Sequence, residues 1–102
     1  MTFTVLPEAE LEAAEAALWY DDQRPTLGDD FLIELEQAFD LLRRSPANAS
    51  RLESYGGQHD VRRYLLKRFP YLVIFVHRPE QVVVVAISHA RRRPLYWLER
   101  LD

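Results

Sequence analysis

Apolar and polar positions divide the chain into two regimes. Between residues 8 and 44 the apolar side chains recur at helical spacing, and between 61 and 88 they crowd into short β-branched runs. Before these, Phe3-Thr4-Val5-Leu6 alternates as a short strand does, and Pro7 ends it. Glu8 to Tyr20 is rich in Ala, Glu and Leu, all good helix formers. Leu11, Ala14 and Leu18 fall at i, i+3 and i+7 and predict its buried stripe, with the helix ending near Asp21 or Asp22. Trp19-Tyr20 is expected to pack between this helix and a sheet.

Arg24-Pro25-Thr26-Leu27-Gly28 reads as a link, and Thr26 with Asp29 resembles a capping box for a second helix reaching about Arg44. Phe31, Leu35, Ala38, Phe39 and Leu42 predict its core face, and Ser45-Pro46 stops it. Residues 47–60 are polar and read as loop. Three strands follow, over Val61 to Leu66, Tyr71 to Val76 and Val82 to Ser88. Their short links imply antiparallel hairpins. Pro94 is placed to open a last short helix through Arg100. The order β-α-α-β-β-β predicts a single α+β domain over 1–102. An antiparallel sheet carries a helical hairpin on one face and leaves the other face more open.

Charge sharpens this picture. Residues 1–60 hold 13 acidic and 4 basic side chains, a balance of −9, whereas residues 61–102 hold 3 acidic and 9 basic, a balance of +6. The small net charge therefore hides an acidic helical half and a basic sheet half. The chain has no cysteine, which excludes disulfides and thiolate metal sites. No apolar run approaches a membrane span, and the N-terminal residues lack the pattern of a signal peptide. The expectation is a soluble, cytoplasmic protein with no membrane partner.

Candidate chemistry gathers where the last strand ends. His89-Ala90-Arg91-Arg92-Arg93-Pro94-Leu95-Tyr96-Trp97 places one imidazole, three guanidiniums, a phenol and an indole on a rigid exit. Adjacent cations repel, so this cluster suits an anionic partner, either nucleic acid or an acidic protein segment. His89 has a pKa suited to proton transfer, although a histidine at a strand end is more often structural. His59, His77 and His89 have no ligand spacing, so no metal or other cofactor is expected. Trp97 is expected to anchor the terminal helix on the sheet. Asp21-Asp22 and Asp29-Asp30 are expected at helix ends and in the link between the helices.

The element order, Trp19-Tyr20, Pro25-Thr26-Leu27-Gly28-Asp29-Asp30-Phe31, Phe69-Pro70-Tyr71 and the His89 to Trp97 run together resemble the RelE/ParE superfamily. These are bacterial toxins of type II toxin–antitoxin modules, also called plasmid stabilization proteins. The resemblance implies a growth-inhibitory toxin neutralised by a cognate antitoxin that wraps around it, forming a hetero-oligomer. It implies one of two targets: DNA gyrase, inhibited by ParE-like members, or mRNA in the ribosomal A site, cut without metal by RelE-like members. A third possibility is a non-toxic member that only binds antitoxin.

For the endoribonuclease branch the resemblance assigns Arg92 and Tyr96 as a catalytic pair, with Arg63 matching a basic position on an earlier strand. Arg62, Arg91, Arg93 and His89 then belong to the partner- or nucleic-acid-binding surface, although a solvated strand face is the likelier role for Arg62. Two positions depart from the RelE pattern: Leu72 stands where a second arginine is usual, and Leu65 where a second lysine is usual. These departures incline the reading towards gyrase.

Overall fold

The computed structural model describes residues 1–101. The elements are β1 (Thr2–Val5), α1 (Pro7–Gln23), α2 (Leu27–Arg44), a 3-10 turn (Pro46–Asn48), β2 (Ser50–Arg51), β3 (Val61–Leu65), β4 (Tyr71–Arg78), β5 (Gln81–His89) and a closing 3-10 turn (Leu98–Arg100). They form one five-stranded sheet in the order β1-β5-β4-β3-β2. The α+β architecture is the expected one. Its sheet departs from the expected wholly antiparallel form, because β1 pairs with β5 in parallel. The reason is the connection: the α1–α2 hairpin, β2, β3 and β4 all intervene before β5, so β1 is free to join the far edge.

α2 buries Phe31, Leu35, Ala38, Phe39 and Leu42, as its period predicts. α1 does not bury Leu11, Ala14 and Leu18. Its inward face is Ala9, Ala13, Ala16, Ala17 and Tyr20, while Leu11 and Leu18 point to solvent. Small residues win here because α1 must lie close to both α2 and β5. A Cβ on Gly28 at the start of α2 would run into the Ala17 carbonyl oxygen and the Asp21 carboxylate. Trp19 is likewise exposed, and only Tyr20 packs inward, against Phe31 and Phe69.

The expected capping box is absent. Thr26 adopts left-handed backbone at φ 70° and its side chain caps nothing. Instead the Gly28 N–H donates to Asp21 Oδ1 at 2.7 Å, so a carboxylate from the end of α1 satisfies the start of α2.

Both faces of the sheet are covered. One packs on the hairpin through Val73, Phe75, Val82, Val84 and Ile87. The other, expected to be more open, carries a second core of Val61, Ile74, Val76, Val85, Ala86 and Trp97. The continuous valine run in β5 follows from this two-sided burial. It also follows from a bulge: Ala86 pairs with Ile74 and Val84 with Phe75, so Val85 is the extra residue. After β5, Leu95 takes left-handed backbone at φ 62°. Pro94 therefore opens no helix, and the terminal helical turn among the described residues is Leu98–Arg100. Trp97 nevertheless anchors the terminal segment on the sheet, 2% exposed. The segment expected to be loop contains β2, which is short enough to leave no periodic signal.

Candidate functional site at the exit of the last strand

β5 outruns its parallel neighbour. β1 stops at Val5 opposite Val84, leaving the edge of β5 without a strand partner from Val85 onward. Unpaired backbone groups there need other partners. Glu12 on α1 and Arg100 from the terminal turn supply them. The Ile87 N–H donates to Glu12 Oε1 at 3.0 Å, and Arg100 donates to the Val85 carbonyl at 3.0 Å. The two side chains also bind each other, with guanidinium–carboxylate contacts of 2.9 and 3.1 Å. This clip grips the sheet at the bulge and ties helix, strand and C-terminal segment together.

Two of the expected site residues join it. The Tyr96 hydroxyl donates to Glu12 Oε2 at 2.6 Å. Arg92 lies 3.5 Å from the same oxygen, and its guanidinium stacks on the Tyr96 ring at 3.7 Å from the centroid. The i, i+4 pair therefore comes together as expected, but around a carboxylate of its own chain.

The Glu12 side chain is only 9% exposed. Burial alone would raise its carboxyl pKa. Hydrogen bonds from Arg100, Tyr96 and the Ile87 backbone, with the Arg100 charge, outweigh burial and hold it below the ordinary range. Tyr96 moves the other way. Burial and the bond to Glu12 push its phenol up to about 12. Arg100 is raised by its hydrogen bond to Glu12. The centre is a closed ion pair with a phenol donating into it, and all its buried polar atoms are partnered.

The remaining residues separate by role. His89 accepts the Arg91 N–H on Nδ1 at 3.0 Å and packs edge-on to Tyr71 at 5.2 Å, so it braces the turn. Arg91 and Arg93 are exposed and make no ion pair among the described residues. Arg93, Arg92 and His89 line a shallow groove with Ser54, Leu72 and Leu95. A second groove runs between α1 and β5, lined by Glu12, Glu15, Trp19, Tyr71, His89 and Arg92.

Arg63 is exposed on β3, with β4 between it and β5, and lines neither groove. Arg62 is not on a solvated face. It donates to the Ala47 and Ala49 carbonyls at 2.9 and 2.8 Å and pairs with Asp60 at 3.1 Å, fastening the first 3-10 turn to β3.

Sequence reasoning missed Glu12 and Arg100. The available signal was a carboxylate on the alanine stripe: Ala9, Glu12, Ala16 and Tyr20 share one face of α1. Among the described residues no cluster of His, Asp or Glu has the makings of a metal site, and no helix is long and apolar enough to cross a membrane.

A family model described as "ParE toxin of type II toxin-antitoxin system, parDE" matches residues 3–94. Among solved structures, the chain is similar to one titled "Chromosomal ParDE TA system from P. aeruginosa", at 16% identity and a TM-score of 0.76. That alignment covers 89% of this chain and 97% of the other. No curated protein matches.

Proposed function

The chain belongs to the ParE toxin family of type II toxin–antitoxin systems, and from that premise we propose that it arrests growth by binding DNA gyrase rather than by cutting RNA. In this reading it acts in the cytoplasm and is held inactive by a cognate antitoxin.

One observation carries the choice: Glu12 fills the space between Arg92, Tyr96 and Arg100. A metal-independent endonuclease needs its cations free to receive a phosphate and its phenol free to move a proton. Here the cations already hold an anion. A phosphodiester arriving at Arg92 meets a like charge held by Arg100 at 2.9 Å. The Tyr96 proton is committed to that same carboxylate, and a phenol with a pKa of about 12 is essentially all protonated at neutral pH, unsuited to act as base. Arg63 stands apart, and Leu72 puts an apolar side chain where the nuclease pattern has a cation.

A binding toxin needs none of this. It needs an outward charged surface, for which Arg91 and Arg93 are available.

The test pairs an assay on purified protein with one on cells expressing it. Gyrase-catalysed supercoiling of relaxed plasmid should fall with toxin concentration and recover when antitoxin is added. Primer extension on mRNA after induction should reveal no new A-site ends. Cleaved A-site codons with unimpaired supercoiling would overturn the proposal in favour of the ribosome. Normal growth on expression of folded protein would overturn it in favour of a member that only binds antitoxin.

A further inference from the structure

We propose that the outward face of α1 is a docking surface for a cationic amphipathic helix of a partner protein. The inference stands apart from the choice of target. Its starting point is the pair of leucines that α1 turns to solvent. Leu11 is 60% exposed and Leu18 is 67% exposed. They lie opposite the alanine face, seven residues and two turns apart. Single exposed leucines are ordinary, but apolar side chains aligned along one helix mark contact surfaces.

The residues around them complete a pattern. Glu8, Glu15 and Asp22 also recur every seven positions, three before and four after the leucines. This is a heptad seam with Leu at one core position and a carboxylate at the other. Trp19, 57% exposed, flanks the seam and leads into the groove with Tyr71 and His89. At 1.5 Å per residue, the 17 residues of α1 give about 25 Å of helix for a partner to follow. The surface costs little to organise, because α1 is already held by α2 and the sheet.

Charge selects the occupant. Between Pro7 and Gln23 there are six carboxylates and no Lys, Arg or His. One of the six, Glu12, is neutralised within the fold. No cation among the described residues pairs with Glu15 or Asp22. The negative field disfavours nucleic acid and anionic bilayers. A second copy of the chain would bring the same three carboxylates against Glu8, Glu15 and Asp22. The complement is a helix with Leu facing Leu11 and Leu18, and Lys or Arg facing the acids.

Trp19 is a built-in reporter, since Trp97 is buried and contributes a constant background. The intact protein is titrated with a synthetic three-heptad helix carrying Leu and Lys at the two core positions, and with its Leu/Glu counterpart. The Lys helix should shift Trp emission to shorter wavelength, saturably and less strongly in high salt, while the Glu helix should not. In Leu11→Ser/Leu18→Ser, affinity should fall at least about tenfold. Glu15→Lys should weaken the Lys helix and favour the Glu helix. Glu53→Lys, in an exposed turn, should change neither.

Equal response to both helices, or undiminished binding in Leu11→Ser/Leu18→Ser, overturns the proposal. A concentration-dependent dimer in sedimentation, abolished by Leu18→Ser, overturns it in favour of self-association.

Discussion

Glu12→Gln removes one charge and almost no volume, and the clip at the β5 edge sets what that should cost. The wild-type carboxylate takes bonds from the Ile87 N–H, Tyr96 and both terminal nitrogens of Arg100. Gln keeps one carbonyl oxygen for these donors and turns an NH2 group towards the rest. Arg100, whose side chain is 17% exposed, would keep the Val85 carbonyl and lose its counter-ion. Breaking a fully buried pair costs about 3–5 kcal/mol. Partial access of Arg100 to water reduces this, so the expectation is about 2–3 kcal/mol. For a domain of this size that is a drop in Tm of roughly 10–20 °C.

Guanidinium unfolding followed by far-UV circular dichroism measures the free energy, and the pH dependence tests the cause. The folded-state pKa of Glu12 lies below its ordinary value of 4.5. Its contribution is therefore fully present above the unfolded value and is lost as pH falls through the lower folded one. The gap between wild type and Glu12→Gln should be constant from neutrality to about pH 5.5 and close in stronger acid. A gap under about 0.5 kcal/mol at neutral pH, or one that persists unchanged in acid, would refute the role given to this ion pair.

Tyr96 has the opposite sign. Its folded pKa of about 12 exceeds the ordinary 10, so its contribution is present below pH 10 and lost as pH rises through 12. An alkaline absorbance titration should show late-ionising phenols, since burial also raises Tyr20 and Tyr71, and Tyr96→Phe should remove one of them. Gly28→Ala should destabilise by about 1–3 kcal/mol, read in thermal melts, because the Ala17 carbonyl and Asp21 carboxylate occupy the space a Cβ needs. The double change Arg91→Glu/Arg93→Glu should reduce growth inhibition while leaving Tm within a few degrees, because neither side chain pairs within the described fold. Unaltered toxicity would move the working surface elsewhere.

What could be read from the sequence was local and large. Phe31, Leu35, Phe39 and Leu42 announce α2 because bulky residues at one period leave no rival face. Continuous apolar runs announce β4 and β5, because both faces of the sheet are buried. α1 offered two rival stripes, one of leucine and one of alanine, and size favoured the wrong one. Close approach to Gly28 and β5 decides between them, and that is a tertiary fact. The i, i+4 spacing of Arg92 and Tyr96 was legible. Their common partner was not, since Glu12 lies 80 and 84 positions away. Arg62 looked like a free cation because the carbonyls it binds, Ala47 and Ala49, belong to a turn with no sequence signature.

The basic exit of β5 is thus two things at once. Arg100 is largely buried on the Glu12 carboxylate and the half-exposed Arg92 leans over Tyr96 towards it, while Arg91 and Arg93 face outward. The Glu12–Arg100 pair is chiefly architectural. It closes the unpaired edge of β5 and tethers the C-terminal segment whose Trp97 seals the second core. A substitution at Arg92 would therefore disturb Glu12 and Tyr96 together with any surface, and lost toxicity in such a variant would not identify a contact. Arg91 and Arg93 separate the two effects, because changing them alters the field a partner meets and leaves the clip intact. If the outward arginines matter and the Glu12 clip acts through stability, the chain works by presenting a rigid charged surface. That is the behaviour expected of a protein that binds its target rather than cuts it.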